Sequence, residues 1–249
     1  MPDDIQRLRK RLEELASRAC RRGVYSFSEF LTLAEQATLC GMRVEAPYTL
    51  EGGYTDAERK IAVFGSKELC GYRAEPPIRC LRIAPLAPKF AESLTHRDFL
   101  GALIGLGIRR EVLGDIIVGG NCGYLFCLES IAEYVLSQLT QVRRTAVKAE
   151  RSDSPPVSAA ELPERSQIVV ASERLDAVVA AVYKLSRSES QGLFGQDRVF
   201  VNGRAAGSLT YSPEVGDTIS VRGFGRFVYE GVEGETRKGR LRAEVRIFG

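Results

Sequence analysis

The sequence is poor in the residues that build catalytic centres and metal sites. It holds one histidine, His96, and none of its six cysteines forms a Cys-x-x-Cys pair. A lone histidine argues against a Ser-His-Asp or Cys-His centre, which needs a base beside its nucleophile. Zinc sites use paired ligands at short, repeated spacing, and Cys20, Cys40, Cys70, Cys80, Cys122 and Cys127 do not offer that. Cys122 and Cys127 fall in an apparent strand pair, a poor chelate. All six are read as free, mostly buried thiols in a reducing compartment. No apolar run approaches the ~20 residues of a membrane span, so no membrane partner is expected. Met1-Pro2-Asp3-Asp4, followed by Arg7, Arg9, Lys10 and Arg11, lacks the apolar centre of a secretory signal, and a cytoplasmic location is expected. Charge of one sign is scarce too. Thirty-five basic against 32 acidic residues leave a net +3, so the placement of the basic residues, not their number, decides whether nucleic acid is a partner. No phosphate-loop signature is present. Gly105-Leu106-Gly107-Ile108-Arg109-Arg110 lacks the third glycine of a dinucleotide loop and follows a helix rather than a strand. No cofactor, metal or small-molecule substrate is expected.

What is present reads as an ordinary folded chain. Its 249 residues allow one large domain or two to three small ones. The fold class is α+β. Residues 1–75 read as a helical region with a short strand. Leu8, Leu12 and Leu15 stripe a first helix, and Ser26-Phe27-Ser28-Glu29 opens a second that ends at Gly41. Pro47 to Thr55 is turn-rich, and Ile61 to Phe64 is a strand. Residues 76–150 alternate in the order β-α-β-β-α-β, the ferredoxin-like pattern. Its elements are a strand at 78–84, a helix at 98–106 opened by the capping box Thr95-His96-Arg97-Asp98, strands at 115–118 and 123–128, a helix at 130–139 and a strand at 145–149. The fold alone predicts no function. Serines and three prolines mark residues 151–166 as a linker.

Residues 167–249 carry the informative motifs. Ser172 can cap a helix to about Leu185, with Leu175, Val178, Val179, Val182 and Leu185 on one face. Ser186-Arg187-Ser188-Glu189 is a capping box for a second, ending near Gly195. A strand at 198–201, the tight-turn pair Asn202-Gly203, a turn at 215–217 and a strand at 218–222 follow. Phe227–Val232 and Leu241–Ile247 flank a charged hairpin tip containing Arg237 and Lys238. Arg174-Leu175-Asp176, Ser186-Arg187, Val199-Phe200-Val201-Asn202-Gly203 and Gly216-Asp217-Thr218-Ile219-Ser220-Val221-Arg222 together resemble the S4 (αL-like) RNA-binding domain. The sequence departs from that pattern at Gly195-Gln196-Asp197-Arg198-Val199, where a reshaped helix-to-strand turn is expected.

The resemblance extends further. Gly52 to Lys60, His96 to Glu111 and Ser220 to Phe227 are similar to the bacterial YlmH-type S4 proteins. That resemblance implies structured RNA as partner, ribosomal RNA or tRNA on the large ribosomal subunit. It also implies a role in quality control or rescue of stalled nascent chains and no catalysis. The contact residues it implies are Arg174, Leu175, Asp176, Lys184, Ser186, Arg187, Gln191, Arg198, Val201, Asn202, Gly203, Arg204, Arg222 and Arg226. A second RNA site is expected in the central domain at the pairs Arg109, Arg110 and Arg143, Arg144. Physically, arginine binds phosphate bidentately and helix N-termini add N–H donors. Asp176 is read as orienting an arginine. Arg174 and Arg187 lie off the apolar stripe, so replacing them is expected to spare the fold. Two alternatives stand beside this reading. A pseudouridine synthase also carries an Arg-Leu-Asp motif, but here that motif opens the S4 helix and the preceding region is too small for the catalytic domain. The other alternative is an S4-derived protein-interaction module.

Overall fold

Leu8, Leu12, Leu15, Ala16 and Ala19 recur at the spacing that puts them on one helix face. In the computed structural model they form α1 (Pro2–Arg22), which packs that face against Leu31, Leu39, Ala62 and Phe64. The structure describes residues 2–55, 57–153 and 165–248. The chain divides into two compact units, Met1–Ala160 and Glu161–Gly249. Residues 154–164, most of the expected linker, lie outside the described residues.

The expected second helix begins later than Ser26. Ser26, Ser28 and Phe30 are buried and alternate with half-buried neighbours, the period of a strand, and residues 26–31 form β1 (Ser26–Leu31). The Ser28 hydroxyl accepts the Ala62 N–H at 2.8 Å, a bond across the sheet, and Ser26, the expected cap, is buried in the strand. The capping box lies one turn on. Thr32 and Glu35 exchange side-chain and backbone bonds at the start of α2 (Leu33–Cys40), which Gly41 closes. The passage read as turns contains β2 (Tyr48–Glu51), followed by β3 (Lys60–Phe64) and the single turn α3 (Lys67–Cys70). The sheet order is β1-β3-β2, all antiparallel. The N-terminal region is therefore a small α+β layer rather than a helix pair.

The next segment holds β4 (Ile78–Pro85), α4 (His96–Gly105), β5 (Leu113–Gly119), β6 (Cys122–Leu128), α5 (Glu129–Gln138), β7 (Gln141–Val142) and β8 (Thr145–Ser152). The strand order β5-β6-β4-β8-β7 is antiparallel throughout, the split β-α-β-β-α-β arrangement with β7 added at one edge. Thr95 and Asp98 form the capping box of α4. Helices α4 and α5 cover one face of the sheet, burying Leu81, Ile83, Phe99, Leu103, Cys127 and Val135 among others. The opposite face meets the N-terminal sheet. Phe30, Ile61 and Val63 pack on Cys80, Tyr124 and Phe126 in one shared core. Asp115 fastens this junction. Its carboxylate accepts the Tyr54 hydroxyl (2.9 Å) and the backbone N–H groups of Glu58 (2.6 Å) and Arg59 (3.2 Å). Burial pushes its carboxyl up, against the hydrogen bonds that favour the charged form.

The second unit holds β9 (Arg165–Val170), α6 (Leu175–Tyr183), α7 (Arg187–Gly195), β10 (Val199–Val201), β11 (Arg204–Ala205), β12 (Thr218–Val221), β13 (Gly225–Glu235) and β14 (Leu241–Phe248). The sheet runs β11-β10-β12-β13-β14-β9, again antiparallel. Helix α6 starts at Leu175, not after Ser172, and no side chain caps it. The N–H groups of Leu175 and Asp176 bond instead to the carbonyls of Tyr211 and Leu209. Ser186 and Glu189 cap α7 as the sequence indicates. Asn202 and Gly203, with φ of 49° and 76°, make the tight turn between β10 and β11. Leu175, Val178, Val179 and Val182 close one face of the sheet over Val199, Ile219, Phe227 and Val245.

Candidate nucleic-acid interface

The two helices of the second unit bring three of the proposed residues together. Arg174 grips Asp176 with two bonds, Nε to Oδ1 at 3.0 Å and Nη2 to Oδ2 at 2.9 Å. Gln191 on α7 donates to the same carboxylate at 3.3 Å, and the Ser190 hydroxyl donates to the Asp176 carbonyl at 2.7 Å. Arg187 sits four residues before Gln191, on the same face of α7, and is exposed. Asp176 is 4% exposed. Burial pushes its carboxyl up, but the hydrogen bonds from Arg174 and Gln191 and the Arg174 charge outweigh it and hold the group below the usual carboxylate range. Arg174 therefore neutralises a buried charge while its outer edge stays accessible. This corrects the expectation that its removal spares the fold.

The N-terminus of α7 is the more open of the two. Among the described residues the N–H groups of Arg187 and Ser188 have no hydrogen-bond partner, whereas the first N–H groups of α6 are occupied by the 209–211 loop. An anion can approach the start of α7 but not that of α6. Lys184, exposed at the end of α6 in the left-handed conformation (φ 54°), lies three residues from Arg187.

Other proposed residues do structural work. Leu175 is fully buried and belongs to the core, so it cannot touch a ligand. Ser186 spends its hydroxyl on the cap. Asn202 donates to Asp217 at 2.7 Å and accepts the Thr218 N–H; Asp217 also accepts the Tyr211 hydroxyl, whose ionisation that bond pushes up to about 12. This network holds the loop that caps α6. Val201 packs against the core, and Gly203 serves the turn. Arg204 is exposed on β11. Arg198 turns inward along the chain, donating to the Arg222 carbonyl at 2.6 and 3.2 Å and lying 5.8 Å from the Phe224 ring centre. Arg222 and Arg226 each lie 4.6 Å from a ring centre, Phe200 and Phe248 respectively. The sequence reading missed both rings. The alternation of Val199, Phe200 and Val201, which points Phe200 away from the helices, was the available signal.

In the central domain the arginine pairs do not act alike. Arg110 is drawn inward, its guanidinium donating to the carbonyls of Leu113 (2.7 Å) and Gly114 (2.9 Å). Burial, together with nearby Arg59, pushes it down to about 10. It is a structural cation, which corrects its assignment to a surface pair. Arg109 is exposed and pairs with Glu29, which Arg11 also holds. Arg143 stands 3.6 Å from Asp98 and 3.8 Å from Glu92, and Arg144 is exposed beside it.

These features define the class: an α+β protein whose second unit presents exposed basic side chains beside the open N-terminus of a short helix. Residues 80–155 match the family described as "Putative RNA-binding domain in YlmH". The chain is 34% identical over 219 residues, 86% of its length and 84% of the other's, to ribosome-associated protein quality control protein P2 of Bacillus subtilis (strain 168). A solved structure, the cell division protein ylmH from Streptococcus pneumoniae, aligns with a TM-score of 0.46 and 19% identity over 60% of this chain and 91% of that one. The chain belongs to the YlmH family.

Proposed function

We propose that this protein binds structured RNA on the ribosome without catalysing a reaction, and that the helix pair of the C-terminal unit makes the principal contact. The observation that carries this reading is the meeting of Arg174 and Gln191 on Asp176, with Arg187 one turn before Gln191 at the open N-terminus of α7. Such a site suits phosphate, and folded RNA is read largely through phosphate, shape and 2′-hydroxyl contacts. The name of the Bacillus subtilis relative supports ribosome association and a part in protein quality control, and the sequence resemblance makes stalled nascent chains its proposed object. The description of the matching family supports a second RNA contact in the central domain, for which Arg109, Arg143 and Arg144 are the accessible candidates. Ribosomal RNA of the large subunit, with tRNA beside it, is the proposed ligand, and the cytoplasm the proposed location.

The test is a salt titration of affinity for a ribosomal RNA stem-loop. Lys184→Asn combined with Arg187→Ala removes two charges, and asparagine tolerates the left-handed backbone at 184. If each cation neutralises one phosphate, the slope of log K against log salt flattens by roughly 1.4 to 1.8. Arg237→Ala with Lys238→Ala on the hairpin tip changes it less. An unchanged slope and affinity in the 184/187 variant places the RNA elsewhere. Crosslinking in cells followed by sequencing of the bound RNA tests the ribosomal assignment separately.

A further inference from the structure

The C-terminal sheet has a second face, away from its helices. Val199 and Val221 are register partners buried against the helices, as are Ile219 and Phe227. The residues between them point the other way. Phe200 pairs with Ser220, Ser220 with Arg226 and Arg226 with Phe248, which makes one row across four strands. Neighbouring strands lie about 4.8 Å apart, so the two rings stand roughly 14 Å from each other. Each carries a guanidinium 4.6 Å from its centre, Arg222 on Phe200 and Arg226 on Phe248. Neither phenylalanine belongs to the buried core.

The charge of this face is uneven. Glu230 and Glu244 are held by Arg165 and Arg246. Arg222 is exposed and has no carboxylate partner among the described residues. Positive charge thus remains at the end of the face where the rings lie. The motif from Ser220 to Phe227, which the helix face leaves unused, is the strand-turn-strand that builds this end.

We propose that this row is a stacking platform for a short unpaired stretch of RNA, separate from the helix face. Bases offer π-faces to phenylalanine rings and arginine planes, while the guanidinium charge meets the phosphates between them. In a duplex the bases are stacked on each other and hidden, so the platform selects unpaired nucleotides. The assignment rests on the reading of this unit as an RNA-binding one, and the experiment separates the two.

The full chain is titrated against two probes, a short oligouridylate carrying one 2-aminopurine and a fully paired stem-loop. Arg222→Ala with Phe248→Ala is expected to weaken oligouridylate binding about tenfold, within the range of base–aromatic stacking, and to abolish quenching of the 2-aminopurine. Stem-loop affinity stays unchanged. Arg222→Lys, which keeps the charge but loses one plane, keeps the salt dependence and reduces the quenching, and it serves should the double variant fail to fold. Unchanged oligouridylate affinity and quenching in both variants overturn the platform. If the 184/187 variant still loses stem-loop binding in that case, the helix face stands alone. If quenching depends on Arg222 while stem-loop binding ignores Lys184 and Arg187, the platform stands and the helix face falls.

Discussion

Asp176 and Asp115 are carboxylates held in opposite ways, and each supports a measurable prediction. Asp176 is anchored by a cation. Its folded pKa is depressed, so its contribution to stability is present above the unfolded value near 4 and is lost as pH falls through the lower folded value. Acid unfolding of the C-terminal unit is therefore expected to steepen below about pH 4. Asp176→Asn should flatten that limb and lower stability at neutral pH by about 2 kcal/mol, the scale of hydrogen bonds to a charged group. Urea melts across the pH range check both; an unaltered acid limb in the variant removes Asp176 from the account. Asp115 has a different role, because three donors from the 54–59 loop meet on it. Asp115→Ala leaves these donors unsatisfied and should destabilise the first unit by about 3 kcal/mol, with earlier amide exchange at Glu58 and Arg59. Retained protection at those amides would mean that the loop is held by its apolar neighbours alone.

Elements that depend on local chemistry were legible in the sequence, and those that depend on distant partners were not. A methyl group at Gly114 of β5 would come within 2.7 Å of the Phe30 ring and 3.1 Å of Phe126, whereas one at Gly101 on α4 meets nothing within 4 Å. Gly114→Ala is accordingly expected to lower stability by about 1–3 kcal/mol through overpacking, and Gly101→Ala to raise it by up to about 1 kcal/mol through helix propensity. Thermal melts of the two variants should shift in opposite directions; equal shifts would mean that the sheets part easily at Phe30. Pairing with a distant strand explains the misread helix. Ser26-Phe27-Ser28-Glu29 carries a valid capping signal, but β3, some 35 residues on, supplies a pairing edge that outweighs it. Strand β9 was hidden likewise, since its partner β14 lies at the far end of the chain, with Arg165 opposite Arg246. The central β-α-β-β-α-β order, the α7 cap and the Asn202-Gly203 turn are local or periodic, and they read directly. In the candidate site, Arg174, Asp176 and Arg187 were named through the motif resemblance, and the structure joins Arg174 to Asp176. The inward course of Arg110 and the Phe200–Phe248 row were not legible, because buried carbonyls leave no mark on neighbouring residues, and alternation turns Phe200 outward without showing that register brings Phe248 into its row.

At the scale of the molecule, the layer shared by the first two sheets decides what can be separated. Residues 76–153 expressed alone would expose Tyr124 and Phe126, which Phe30, Ile61 and Val63 cover in the intact unit. That fragment is expected to aggregate, while residues 1–160 stay monomeric and keep weak affinity for ribosomal RNA at low salt. Sedimentation and filter binding test this, and a monomeric 76–153 fragment would show the shared layer to be dispensable. The layer has a further consequence. All six cysteines fall between positions 20 and 127, so thiol chemistry sees only the first unit. Cys20 and Cys40 are exposed, whereas burial pushes the Cys80 thiol up to about 11 and Cys127 up to about 12. Cys80 lies in the layer beneath the N-terminal sheet and Cys127 in the layer beneath the helices. A thiol reagent thus finds two internal clocks on opposite faces of one sheet. The Cys80 clock starts when the N-terminal sheet lifts, the Cys127 clock only when the helices do, and the interval between them times the order in which the unit comes apart.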